Sequence, residues 1–324
     1  MDLNWQFWRS EGQTFFQRFL HWVDILDATL LFIPNKDIPL SRALLPTSKE
    51  NIAESLQDKK IREAWKLSLA SVHPCTGETI PLLFRPPAFL PIYAPLVIVT
   101  LLPHRKAASA FICQFLFHSY IAGVTLANGN PPKQVEKKTT EMVFSQKQLL
   151  LSVGAITYAS CMGALPVYFV TRYQLSPSGQ RVFKNIIPGP LTALLCALNV
   201  MVTRSSEYEN GIEVMDSQGQ VIGMSVKAGE KAVEQTALTR GVMFGTAIFF
   251  PEVALQLLKR TSSLLRNPLV LNPLRSLLIV AVLGGMIPVS LSWMPPIGKI
   301  KTSDLEPEIA ASTEETEVFY YKGL

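Results

Sequence analysis

From Ala107 to Ala127 the chain runs for 21 residues without an Asp, Glu, Lys or Arg. A helix of that length, at about 1.5 Å per residue, covers the roughly 30 Å hydrocarbon core of a bilayer. In lipid, every backbone N–H and C=O needs a partner within the protein, so a spanning segment of this kind is helical. The stretch 107–130 is not uniformly apolar, however. Gln114, His118, Thr125 and Asn128 stand at spacings of four, seven and three, with Ile121 filling the gap, and such steps keep one helical face together. A polar stripe on an apolar span faces protein or a water-filled path rather than acyl chains.

The rest of the chain agrees with a membrane domain. Hydrophobic residues make up 48% of the 324 and charged residues 17%, against about a quarter charged in soluble proteins; the mean hydropathy is +0.24. The net charge of +5 is scattered, and no dense Lys/Arg block points to nucleic acid. Cys75, Cys113, Cys161 and Cys196 form no CxxC pair, and three sit in apolar runs, which argues against a disulfide framework or a zinc site. The N-terminus, with Asp2 and Glu11 and no long apolar run, does not read as a cleaved signal or transit peptide.

Three regions follow. Residues 1–85 read as a soluble or interfacial helical region. Phe15, Phe19, Trp22 and Leu26 share one face of an aromatic helix that either lies at the membrane interface or packs on the protein itself. Residues 48–70 read as a soluble helix started by Ser48 or Asn51, and His73-Pro74-Cys75-Thr76-Gly77-Glu78 as a turn.

Residues 86–298 form the membrane domain. The run Pro86–Pro103 holds five prolines, so its helix is short, kinked or broken. Uncharged runs over 107–127, 149–170, 186–203 and 276–298, and a run over 241–258 interrupted only by Glu252, bring the count to five or six spans. Within the connection 204–240, Ile212–Met215 and Val221–Met224 read as a β-hairpin followed by a polar helix over 227–239. Residues 299–324 read as an acidic tail. The expected fold class is therefore an all-α membrane protein with a small β-hairpin in one loop. With six spans, the loops bearing Arg105/Lys106, Arg172/Arg181/Lys184 and Lys259/Arg260/Arg266/Arg275 lie on one side, and both termini on the other.

Three motifs carry a resemblance to a known family. His73-Pro74-x-Thr76-Gly77-Glu78 resembles the His-Pro-Asp-Thr-Gly-Glu signature of the sideroflexins, multi-pass proteins of the mitochondrial inner membrane. Gly211-Ile212-x-Val214-x-Asp216-x-x-Gly219 resembles their hairpin, and Lys322-Gly323-Leu324 their usual terminus. The resemblance implies transport of small neutral amino acids, serine above all, and a link to iron homeostasis. Three departures stand out. Cys75 replaces the motif's Asp. Of the family's amide-rich run over 114–128, Gln114, Ser119 and Asn128 match, while three asparagines have become Phe117, Ile121 and Thr125. A Pro-Pro pair of the fifth span corresponds to Phe250-Pro251 here. This pattern is similar to the family's most divergent branch.

A zwitterion crossing a membrane needs donors for its carboxylate and acceptors for its ammonium. Asparagine offers both without fixed charge, and proline-broken helices offer free N–H groups. The candidate path is Gln114, His118, Ser119, Thr125, Asn128 and Glu252. His118 reads either as a ligand or proton carrier or as a satisfied core histidine, and Glu252 as an intramembrane carboxylate with a role. The signature turn of His73, Pro74, Thr76, Gly77 and Glu78 reads as a gate or as a rigid helix-starting turn. With three amides lost, at about 1–3 kcal/mol for each unmet buried partner, serine transport is expected to be weak or absent. No nucleophile set, phosphate loop, cofactor motif or metal site emerges, so the expectation is a non-enzyme without cofactor. Its partners would be the bilayer and a small neutral amino acid, either one other than serine or one taken with altered selectivity, and no nucleic acid. The alternative is a former carrier now serving as an assembly factor for respiratory-chain or iron–sulfur machinery.

Overall fold

The computed structural model describes residues 2–46, 52, 56–131, 146–173, 175–261 and 267–324. Among the described residues five helices are long and apolar enough to cross a membrane: α5 (Ala107–Asn128), α6 (Gln146–Arg172), the span Pro177–Thr203 that ends in α7 (Pro188–Thr203), α8 (Val226–Thr261) and α9 (Pro268–Trp293). The proline-rich run gives a shorter helix, here α4 (Phe89–Leu101), with Pro95 inside it. Thirteen residues rise only about 20 Å, so α4 enters the bundle without the length of its neighbours. It lies against α5 and α9.

Five long spans and one short one bring the chain back to the end where it began. There Lys147 pairs with Glu209 at 2.7 Å, joining the start of α6 to the segment after α7, and Gln148 donates to the Thr203 carbonyl at 3.2 Å. Leu324 N–H donates to the Asn128 carbonyl at 3.2 Å and Lys322 N–H to the Pro296 carbonyl at 2.9 Å. Arg105, Lys106, Arg172, Arg181, Lys184, Lys259 and Arg275 are left at the opposite end. Arg266 lies outside the described residues.

The cap on this end is built from both halves of the chain. α1 (Leu3–Glu11) and α2 (Phe15–Ile25) are started by Asp2 and by a Thr14–Gln17 capping box. Arg18 docks α2 on the end of α9, donating to the carbonyls of Ser292, Gly12 and Gln13 at 2.8, 2.9 and 3.0 Å. The buried face of α2 is Arg18, Trp22 and Ile25, with Trp22 stacked on Trp8. Phe16, Leu20 and Val23 stay exposed. The face expected from sequence (Phe15, Phe19, Trp22, Leu26) is thus rotated, because the Arg18 anchor selects the side that packs. The outer ridge retains the apolar character of an interfacial helix.

α3 (Lys59–Ser71) is capped by Asp58. The expected starts, Ser48 and Asn51, lie outside the described residues. The hairpin forms as expected, β1 (Ile212–Met215) with β2 (Val221–Ser225). It is half of a four-stranded antiparallel sheet in the order β2-β1-β4-β3. β3 (Ile297–Lys301) and β4 (Glu317–Tyr321) come from the segment read as an acidic tail. The last span ends at Trp293, and Gly298 lies in β3, where the Tyr320 side chain crosses the space a Cβ would fill. The expected polar helix over 227–239 and the span after it are one unbroken helix, α8.

Candidate functional site

The polar residues of α5 keep their common stripe but turn towards different neighbours. Gln114 lies against Gly163 of α6, where an added Cβ would sit 2.8 Å from its Cδ. His118 is fully buried beside Asn199 of α7. The Asn199 amide donates to the His118 carbonyl at 3.0 Å and lies 3.4 Å from Nδ1, while its oxygen accepts from Thr203 Oγ1 at 3.1 Å. Among the described residues the His118 Nε2 has no hydrogen-bond partner. Thr125 donates back to the Ile121 carbonyl at 2.8 Å. Asn128 donates to the carbonyls of Phe84 and Val124, both at 2.9 Å, and its Oδ1 is buried with no partner among the described residues. Ser119 is half-buried.

The positions that depart from the amide-rich pattern face the centre. Phe117 meets Phe244 of α8 edge-on at 5.0 Å; Phe244 meets Tyr93 of α4 at 4.9 Å, and Tyr93 meets Tyr120 at 4.8 Å. Ile121 is buried in the same apolar cluster. An aromatic plug therefore joins α4, α5 and α8 at the level where three amides would have been. Glu252 stands two turns further along α8 and is engaged by Arg275 of α9, with Oε1 2.7 Å from Nε and Oε2 accepting from Nη2 at 3.3 Å. Its charge is neutralised there, apart from the stripe. Among the described residues no group of three or more His, Cys, Asp or Glu is placed to hold a metal.

The signature turn is closed by backbone bonds, His73 N–H to the Glu78 carbonyl at 2.9 Å and Gly77 N–H to the His73 carbonyl at 3.0 Å, with Gly77 at φ +69°. His73 Nε2–H donates to the Gly129 carbonyl at 2.9 Å, and Nδ1 accepts from the amides of Cys75 and Thr76 at 3.2 and 3.4 Å. Those bonds require the neutral ring, in keeping with burial pushing the His73 pKa down. Burial, with Glu213, Asp2 and Glu207 nearby, pushes the Cys75 thiol up, so the turn carries no charge where the resembling motif has Asp. Pro74 is buried, whereas Thr76, Gly77 and Glu78 are exposed; Thr76 Oγ1 accepts from Glu78 N–H at 3.2 Å.

The turn's ring packs edge-on against Tyr321 at 5.2 Å, and through it the three sequence motifs meet. Tyr321 OH donates to the Asn128 carbonyl at 3.3 Å. Asn130 donates to Glu207 Oε2 at 2.9 Å and to the Tyr321 carbonyl at 3.0 Å. Arg204 pairs with Glu207 through two bonds of 2.6 and 2.7 Å, and donates to Thr236 Oγ1 at 3.0 Å and the Lys322 carbonyl at 2.8 Å. Sequence reasoning missed this buried Arg204–Glu207 pair, as it missed Asn199 and Arg240. The i,i+3 spacing of opposite charges just past an apolar span was the available signal.

Fold and site together define a multi-pass α-helical membrane protein whose spans are tied at one end by a mixed helix–sheet cap. The chain belongs to the sideroflexin family: the family model for sideroflexins matches residues 2–324. It is 41% identical to Sideroflexin-4 of Danio rerio over the whole of both chains. It is 38% identical to Sideroflexin-4 of Homo sapiens, covering all of this chain and 93% of that one, and 32% identical to Sideroflexin-5 of Homo sapiens, covering 98% and 91%. No solved structure gives a significant match.

Proposed function

We propose that this sideroflexin is a carrier-type protein of the mitochondrial inner membrane that moves a small neutral amino acid and handles serine poorly. The observation that carries the reading is the pair of buried, unpartnered polar atoms on α5, His118 Nε2 and Asn128 Oδ1. A buried polar atom without a partner is costly, and a polar solute passing along α5 supplies the partner. Serine is disfavoured because Phe117 and Ile121 fill the positions from which amides would meet a hydroxyl. A site lacking such partners discriminates strongly against the solute that needs them. The family resemblance supports the membrane and the solute class, and the chain's own residues support the change in selectivity. Nothing in this reading calls for a cofactor or a catalytic step.

A second reading is favoured by the aromatic plug of Tyr93, Phe117 and Phe244. A bundle closed at its centre suits a protein that holds partners rather than passes solutes, such as an assembly factor for respiratory-chain or iron–sulfur machinery. Uptake of a panel of labelled neutral amino acids into proteoliposomes separates the two. The carrier reading expects saturable uptake of at least one small neutral amino acid, with serine at least about tenfold slower. Absence of uptake for the whole panel overturns it in favour of the second reading.

A further inference from the structure

Every fourth residue of α8 from Ala228 to Glu252 is buried, and that face carries a cation, Arg240, only 2% exposed. One turn earlier, Thr236 serves the Arg204–Glu207 pair; one turn later, Phe244 belongs to the plug. Among the described residues, Arg240 makes no hydrogen bond or ion pair, and its Nη2 is buried without a partner. Its guanidinium lies over the Phe89 ring, 5.6 Å from the centroid. Its neighbours are Tyr93, which packs on the same Phe89 ring at 5.7 Å and on Phe244, one turn along α8, at 4.9 Å, and Lys322, whose carbonyl accepts from Thr236 Oγ1, one turn earlier, at 3.4 Å. Neither of them is a carboxylate.

Both neighbours share its condition. Lys322 is 2% exposed, and its Nζ reaches only the Met294 carbonyl at 3.5 Å. Burial, with Arg240, Arg204 and Arg18 around it, pushes its pKa down to about 7. Tyr93 is fully buried, and its hydroxyl has no partner. Among the described residues the other buried arginines hold more partners: Arg18 three carbonyls, Arg204 the Glu207 carboxylate, and Arg85 the Ile80 carbonyl and Asn35 Oδ1, with its Nη1 left over. A buried charge left without an opposite charge or hydrogen bonds is strongly unfavourable. A guanidinium beside an ammonium and a phenolic hydroxyl is the donor set that a carboxylate takes.

We propose that Arg240, Lys322 and Tyr93 form an occluded site for a monocarboxylate group, one helical turn inside the Arg204–Glu207 layer. The Arg240 guanidinium meets the carboxylate oxygens, Tyr93 donates a third bond, and Lys322 supplies the second positive charge. Phe89 shields the site. The carboxylate belongs either to an amino acid or to a free monocarboxylic acid. The first source deepens the carrier reading by naming where the solute's acidic end is held; the site itself stands without transport.

The test is the thermal midpoint of the full chain in detergent, at constant ionic strength balanced with a bulky sulfonate, with added sodium propionate, L-alanine or sodium chloride. Propionate, alanine or both are expected to raise the midpoint by about 3 °C, and chloride is not. A shift with alanine alone assigns the amino acid as the source; one with propionate alone assigns the free acid and overturns the link to the carrier. A shift without uptake into proteoliposomes sinks the carrier reading and leaves the site. Arg240→Met is expected to abolish the shift without lowering the ligand-free midpoint, since it removes an uncompensated charge. A merely structural arginine would give the opposite pattern. If Arg240→Met does not fold, Lys322→Met and Tyr93→Phe carry the test, each expected to at least halve the shift. No shift in the natural chain, an equal shift with chloride, or a shift that survives the substitutions overturns the proposal.

Discussion

At the scale of single residues, the cap depends on a few buried charges and the partners that hold them. Arg204 and Glu207 are both nearly solvent-free, and Glu207 also accepts from Asn130. Glu207→Gln leaves the guanidinium buried beside an uncharged amide. The expected loss is about 3–5 kcal/mol, read as a lower thermal midpoint, while exchange of the exposed Lys147–Glu209 pair costs under about 1 kcal/mol. Lys322 sets a pH dependence. Below about 7 its amine is protonated in both folded and unfolded chains, and the burial penalty is fully felt. Between about 7 and 10.5 the unfolded chain keeps a proton that the folded chain has released. Stability measured without added carboxylate therefore rises with pH across that window. Lys322→Met is expected to flatten the rise, and an unchanged slope would place its origin elsewhere.

At the scale of elements, the chain's last turn is pinned by geometry. Gly323 sits at φ +80°, and a Cβ there would lie 2.9 Å from Arg204 Nη1. Gly323→Ala adds left-handed strain of about 1–2 kcal/mol and presses on a guanidinium that Glu207 already holds. The expected loss is about 2–3 kcal/mol. Gly285→Ala in α9, where a Cβ meets nothing within 4 Å, is expected to be neutral or to stabilise by up to about 1 kcal/mol. Paired unfolding measurements on the two variants check the contrast. The long helices were legible in the sequence because charge-free runs of bilayer length have few other uses. The shortness of α4 was legible from its prolines. β3 and β4 were not: Ile297–Lys301 follows Pro295-Pro296 at the end of an uncharged run that reads on to Gly298, and Glu317–Tyr321 emerges from an acidic stretch. Only pairing across distant parts of the chain makes them strands. The α5 stripe was legible as a face, but not its division among Gly163, Asn199 and Phe84, which the neighbouring helices decide. Arg240 was hidden because it stands where a polar segment turns apolar, and burial is not a local property.

At the scale of the molecule, one end of the bundle is a cap holding both ends of the described chain, and the other is a set of short basic loops. Cysteines placed singly at Ser178 and at Ser312, in a background without Cys75, Cys113, Cys161 and Cys196, are expected to react with an impermeant thiol reagent from opposite sides of the membrane. Labelling from the same side would contradict the three crossings, by α7, α8 and α9, that separate the two positions. Between the ends, Phe117 and Ile121 are buried on α5 among His118, Thr125 and Asn128, and the proposed poor handling of serine turns on those two positions. The most direct test compares labelled serine uptake by proteoliposomes holding the natural chain with uptake by the Phe117→Asn, Ile121→Asn, Thr125→Asn variant. The account predicts little serine uptake by the natural chain and a gain of at least about tenfold in the folded variant. Rapid serine uptake by the natural chain, or none by a folded variant, would contradict it.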